Sequence, residues 1–414
     1  MTLVFLNPVG TLGGGERSLL DLTTALREAR PNLRPHLILG TAGPLEAEAA
    51  RCGLSCEVVA MPAALNSLGE SRLHWSRRNR ALRLGSLAMG GSQAAVVLPA
   101  YLRRLRTAIE RRSPTLIHSN GLKCHLTAGY ALPRAAANVP IVWHMRDFLG
   151  TRPLLGRWLR RLARRPTLAI ANSQAVADDV RTALPGVPVE TVYNGVDTDF
   201  FSPAETAAER IDELAQLPTP PQGILRVGIV ATYARWKGQE VFIDAAAKLM
   251  QRGRRDCRFY IVGGPTYVTV GSQFTADELR LRIDEHHLAE SCGLVPFQND
   301  LRSIYRGLDV VVHASTRPEP FGRTIVEAMA CGRAVVAAHA GGVGEIVTHD
   351  RDALLTPPGD ADALADAIER LLDDPALRAQ LGAQARRTAV ERFGRAAMAD
   401  RVLRLYAGLG VDVD

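Results

Sequence analysis

The chain has 414 residues, 47% of them apolar and 22% charged, which excludes a fibrous or disordered protein and is too long for one compact core. Its net charge of +7 is unevenly held: residues 1–194 carry net +13 and residues 195–414 net −6. Six cysteines (52, 56, 124, 257, 292, 331) show no Cys-x-x-Cys pair, which argues against a disulfide framework or thiolate metal cluster and for a reducing, cytoplasmic setting. The first residues lack a basic, long apolar leader, and no stretch reaches the roughly 18 apolar residues of a membrane span.

Short apolar runs alternate with helical patterns along the whole chain, which predicts parallel sheets covered by helices. In the first half the predicted strands are Leu3–Asn7, His36–Gly40, Thr115–His118, Ile141–His144, Leu168–Ala171 and Val189–Val192. Helices are predicted over Glu16–Ala29 and Ser173–Leu184, the second capped by its serine. The alternation restarts with strands Arg226–Val230, Arg258–Val262, Asp309–His313 and Ala334–Ala338. The proline-rich stretch Asn194–Gln222 is the expected join, giving domains 1–194 and 195–394. A break at Phe393-Gly394 sets apart a last helix, Ala396–Leu409, so residues 395–414 are free to pack on the first domain. Met61–Ala95 is an arginine-rich insertion, and Thr266–Thr275 a smaller loop.

Two segments carry chemistry. Gly13-Gly14-Gly15-Glu16 follows the first strand and opens a helix, where small residues and free N–H groups suit an anion. It fits neither the dinucleotide fingerprint nor a Walker loop, and a plain tight turn reads equally well. The segment Arg317–Gly332 places Glu319 in a turn and starts a helix near Gly322. The Phe321 and Gly322 amides lie beside Arg323 as a second anion site, and Glu327, a turn further on, suits a vicinal diol such as a ribose. Pyrophosphate plus ribose reads as a nucleotide.

These residues, with Trp143-His144, Asn172-Ser173, Tyr193-Asn194-Gly195-Val196-Asp197, Lys237-Gly238 and the run from Ala340 to Glu345, fall in the order of a known family. The chain resembles the retaining glycosyltransferases of family 4, glycosyl transferases group 1. The resemblance implies an α/β, GT-B fold: two Rossmann-like domains facing each other across a cleft, acceptor side first and nucleotide-sugar side second. It implies donor-binding roles for Gly14, Gly15, Arg235, Lys237, Phe297, Phe321, Gly322, Arg323 and Glu327. Lys237 matches the diphosphate lysine, Glu327 the ribose glutamate, and Phe297 a wall of the base pocket. His144, Lys237 and Glu319 are the implied catalytic set, and Arg146 and Asp147 are acceptor-side candidates or an ion pair.

One departure is plain: the family's arginine five positions before the lysine is missing, since Ala231-Thr232-Tyr233 stands there. Arg235 is the candidate substitute. Lysine is scarce, with only Lys123, Lys237 and Lys248 against 47 arginines, which marks Lys237 further. Asp197-Thr198-Asp199 and Asp412-Val413-Asp414 imitate an Asp-x-Asp metal motif, but one belongs to a turn and the other to the last residues. No cofactor and no metal are therefore expected.

The implied activity is transfer of a sugar from a UDP- or GDP-type sugar to an acceptor hydroxyl with retention, a hexosyltransferase reaction of polysaccharide, glycolipid or metabolite synthesis. A nucleotide-sugar-binding protein without activity and a GT-B sugar-nucleotide epimerase are the alternatives. Ten arginines in Arg72–Arg112 and six in Arg152–Arg165 read either as solvated faces or as attraction to an anionic lipid, with Trp75, Leu82, Leu84 and Leu87 as interfacial candidates. The acceptor is expected to be a glycan, lipid-linked sugar or small molecule, met in the cytoplasm or on the membrane's inner face. Basic charge without interleaved aromatics argues against nucleic acid.

Overall fold

The computed structural model describes residues 1–66, 96–132, 139–204, 209–265 and 271–412. They form two compact units, Met1–Gly195 with Arg395–Asp414, and Val196–Gly394. Among the described residues of the first unit, seven parallel strands make one sheet: β1 (Thr2–Asn7), β2 (Arg34–Leu39), β3 (Ser55–Val58), β4 (Leu116–Asn120), β5 (Ile141–Met145), β6 (Leu168–Ala171) and β7 (Val189–Thr191). Their spatial order is β3-β2-β1-β4-β5-β6-β7. The second unit repeats the plan with β8 (Leu225–Val230), β9 (Cys257–Gly263), β10 (Cys292–Pro296), β11 (Val310–His313), β12 (Ala334–Ala338) and β13 (Leu354–Thr356), ordered β10-β9-β8-β11-β12-β13.

The strands read as unbroken apolar runs because both faces are buried. In β1, Leu3 and Phe5 join one core and Val4 and Leu6 the other, as a period of two requires. Helix Gly14–Ala29 covers the Leu3–Phe5 face, and helix Arg395–Gly408 packs against it through Met398, Val402 and Tyr406. The last helix therefore completes the first unit's core. Ser173 caps helix Gln174–Ala183 by accepting Val176 N–H at 3.1 Å.

Three strands escaped the sequence pattern: β3, β10 and β13. Each lies at a sheet edge: β3 is four residues that include a charged Glu57, β10 is interrupted by Gly293 and ends on Pro296, which an edge tolerates, and β13 has only three residues. The stretch expected as a join is not a bare linker. It holds helix Glu209–Leu214, whose buried Asp212 accepts from Arg226, Arg258 and Tyr260 at 2.7, 3.0 and 2.5 Å. Burial opposes its ionisation, but these donors keep its carboxyl below the usual range.

In a doubly wound sheet, ligands gather outside the strands' carboxyl ends where the order reverses. That point lies between β1 and β4 in the first unit and between β8 and β11 in the second.

Candidate active site

In the second unit, β8 runs into a short 3-10 turn, Arg235–Lys237, and β11 into the turn bearing Glu319. These two loops meet at the switch point. Lys237 Nζ lies 2.9 and 2.8 Å from the two Glu319 oxygens, and Ser315 Oγ donates to Oε2 at 3.1 Å. His313 Nε2 is 3.4 Å from the same oxygen. Burial alone would raise the Glu319 pKa, yet Lys237, helped by His313, holds it well below the carboxylate range. The loop is sterically fixed. Gly238 has φ +83°, and a Cβ there would come within 1.8 Å of the Ala314 carbonyl oxygen.

Gly322, at φ +110°, caps helix Arg323–Ala330. The Phe321 side chain packs edge-on against Phe393 in the core, so its backbone is what it offers at the helix start. Glu327 is buried; Arg323 Nε donates to Oε1 at 2.7 Å and Tyr305 OH to Oε2 at 2.9 Å. Each oxygen keeps a second lone pair for a further donor. Tyr305 carries no sequence signal, since a buried tyrosine reads as core. Its pKa is raised by burial and by the Glu327 charge, so it stays a donor.

Arg235 does not join Lys237 and Glu319. Its guanidinium donates to Glu278 at 2.5 Å and lies 4.3 Å from the Phe274 ring centroid. At Thr232, where the family places its arginine, the backbone carbonyl accepts from the buried Gln239 at 2.7 Å. Phe297 follows β10 and is 45% exposed, with its Cβ beside Gly264.

The first unit carries a polar network at its own switch point. Asn120, ending β4, donates to Asn7, ending β1, at 2.7 Å. Arg146 donates to Asn120, to Asn194 at 2.5 Å and to His144 Nδ1 at 3.3 Å. Glu16 accepts Gly13 N–H at 3.1 Å, which holds the start of the glycine loop. A Cβ on Gly15 would lie 3.6 Å from Arg146 Cδ, and one on Gly14 would meet no atom within 4 Å. Asp147 caps Phe148 N–H and pairs with Arg152 at 2.5 Å.

His144 is fully buried, as is His118 beside it; burial pushes both imidazole pKa values well down, and Arg146 pushes further in the same direction. Asn7, Asn120, His118 and Tyr406 were missed by sequence reasoning. Only their place at strand ends in a resolved topology, or on a helix returning from residue 395, shows their use.

Asp197 accepts Asp199 and Phe200 N–H at 3.1 and 2.9 Å, which ties it to its own turn. Asp412 is described and the two residues after it are not. Arg103, Arg104, Arg106, Arg111 and Arg112 form an exposed face, several paired with Glu57 or Glu110. Trp75, Leu82, Leu84, Leu87 and the arginines from 72 to 83 lie outside the described residues.

Helix Pro153–Arg161 is sharply two-sided. Gly156 and Leu159 face inward, while Leu154, Arg157, Trp158 and Arg161 form an outward stripe at helical spacing. Trp158 is 49% exposed with Arg161 4.9 Å over its ring. No helix among the described residues is long and apolar enough to cross a membrane.

Residues 12–200 match the model of Glycosyltransferase Family 4, and residues 204–388 match that of Glycosyl transferases group 1. Between them the two models span nearly the whole chain. The chain belongs to the family 4 glycosyltransferases. It is 30% identical over 262 residues to an alpha-D-kanosaminyltransferase of Streptomyces kanamyceticus, covering 62% of this chain and 64% of that protein. It is 33% identical over 226 residues to a D-inositol 3-phosphate glycosyltransferase of Jonesia denitrificans, covering 53% and 52%. The chain thus spans between half and two thirds of the length of these two relatives. HepE of Anabaena, solved in complex with UDP-glucose, aligns over 99% of this chain and 100% of its own, at 26% identity and a TM-score of 0.77. The architecture of both units is that of GT-B glycosyltransferases.

Proposed function

We propose that the protein transfers a hexosyl group from a nucleoside-diphosphate sugar to an acceptor hydroxyl with retention at the anomeric carbon, and without a metal ion. The observation that carries this reading is the Lys237–Glu319 pair at the second unit's switch point, beside a buried Glu327 held by Arg323 and Tyr305. The hard charge in such a reaction is the leaving diphosphate. In this reading Lys237, a compact point charge, and the amides at Gly322 stabilise it, the kind of preorganised electrostatics that dominates catalysis. Glu327 takes the ribose hydroxyls on its remaining lone pairs. Glu319, kept ionised, positions Lys237 and faces the donor sugar. His144 donates to a sugar hydroxyl, and the leaving phosphate accepts the acceptor's proton. The HepE complex with UDP-glucose supports a UDP sugar as the first donor to try.

The test is nucleotide release from a panel of UDP- and GDP-sugars, with and without acceptor glycans and lipid-linked sugars. Release accelerated by an acceptor supports transfer; tight binding with no release points to a binding protein. Lys237→Ala and Glu327→Ala should each abolish release, and wild-type rates in both would overturn the assignment.

The outward stripe on helix Pro153–Arg161 supports a peripheral association with anionic membrane, where a lipid-linked acceptor resides. Sedimentation with phosphatidylglycerol vesicles at low and high salt checks it. Trp158→Ser together with Arg161→Glu should release the protein, and no binding at low salt by the parent chain removes the reading.

A further inference from the structure

Arginine can only donate hydrogen bonds, and that fixes the protons of a buried chain in the first unit. Arg146 Nη2 lies 3.3 Å from His144 Nδ1, so Nδ1 is the lone-pair nitrogen. His118 Nε2 lies 2.9 Å from the same Nδ1 and must therefore carry the proton between them. A neutral imidazole has only one, so His118 Nδ1 accepts, and the Tyr406 hydroxyl 2.5 Å away donates. The chain runs in one direction: Tyr406 O–H to His118, His118 N–H to His144.

What remains is His144 Nε2–H. It is buried and has no partner among the described residues. An orphaned buried donor costs about 1–3 kcal/mol, a cost that a substrate oxygen accepting from it would remove.

We propose that Tyr406 and His118 are positioning residues that lock His144 as its Nε2–H tautomer, presenting a neutral donor to a hydroxyl or phosphate oxygen of the substrate. The inference rests on the substrate-facing role of His144 proposed above and adds what sets its polarity. Without Arg146 and the chain behind it, His144 can exchange to the Nδ1–H form, and Nε2 becomes an acceptor that repels the same oxygen. His144 held this way is not a general base at Nε2. The phenol also arrives from helix Arg395–Gly408, which gives that helix a part in the chemistry as well as in the core.

The experiment is nitrogen NMR of the full-length protein labelled at histidine, with the His144 signals assigned by their loss in His144→Asn. A protonated Nε2 and an unprotonated Nδ1 are expected at neutral pH. Tyr406→Phe removes one buried donor, so kcat should fall about tenfold with the donor KM nearly unchanged, and part of the His144 signal should move to the Nδ1–H pattern. Thermal melting of this variant reports whether the unit is still folded, and the tautomer readout needs no turnover. An Nδ1–H tautomer in the parent protein overturns the inference. So does a folded Tyr406→Phe with unchanged tautomer and kcat. If no nucleotide sugar is turned over while the tautomer is as expected and answers to Tyr406, the transfer reading fails and the locked donor stands.

Discussion

Lys237 and Glu319 come from loops after two different strands, yet the lysine Nζ touches both carboxylate oxygens, at 2.9 and 2.8 Å. Removing one partner leaves the other charged and largely buried. Lys237→Ala should therefore destabilise the second unit by about 3 kcal/mol as well as stop transfer. The double variant Lys237→Ala, Glu319→Gln should recover most of the stability and none of the activity, read by urea denaturation and nucleotide release. Additive losses of stability would mean the two side chains do not depend on one another.

Gly238 sets the direction in which Lys237 leaves its turn. A methyl group there would collide with a backbone carbonyl that cannot step aside. Gly238→Ala should cost at least about 2 kcal/mol and depress kcat/KM, since the turn must open to admit the Cβ. Gly14→Ala meets no atom of the unit, so its melting temperature should stay near the parent's.

Arg235 makes an exposed pair with Glu278, 42% and 45% accessible, of the kind worth at most about 1 kcal/mol. Arg235→Ala should thus barely move the melting temperature. With the guanidinium committed to Glu278 and Phe274, its effect on nucleotide release should be at least an order of magnitude smaller than that of Lys237→Ala. An equally deep loss would place Arg235 on the diphosphate.

The two units should respond to acid in different pH ranges. Burial lowers the His125 pKa to about 3, and the unfolded chain binds its proton near pH 6.5. Stability from this neutral histidine is therefore present above pH 6.5 and falls by about 1.4 kcal/mol per pH unit as pH drops toward 3. His118 and His144 act in the same sense. Glu319 is held below the usual carboxylate range by Lys237, so its contribution is intact above that range and is lost only as pH falls below it. Urea midpoints between pH 7 and 5 should fall for the first unit. His125→Asn should shallow that slope by about one proton, and an unchanged slope would show that His125 is not neutral in the fold.

Much of this was legible in the residues because the signals were local. Central strands buried on both faces are long apolar runs, and Ser173 or Gly322 mark helix starts wherever they occur. Edge strands such as Leu354–Thr356 lack that pattern because one neighbour and one turn suffice to hold them. Lys237, Glu319 and Glu327 could be named from motif order. Their partners could not: Tyr305 and His118 look like ordinary core residues, and Tyr406 lies 288 positions from the histidine it touches. Arg235 shows the converse, since proximity in sequence suggested a substitute and the side chain turned to Glu278.

The return of helix Arg395–Gly408 to the first unit has a consequence for the order of events at the ribosome. The second unit is one continuous stretch and can fold as soon as it has emerged, whereas the first must keep an open core until Met398, Val402 and Tyr406 have been synthesised. Of the two units, the one begun first is the last to be finished. A nascent chain stalled before residue 395 should expose the apolar flank of helix Gly14–Ala29, a natural hold-point for a chaperone.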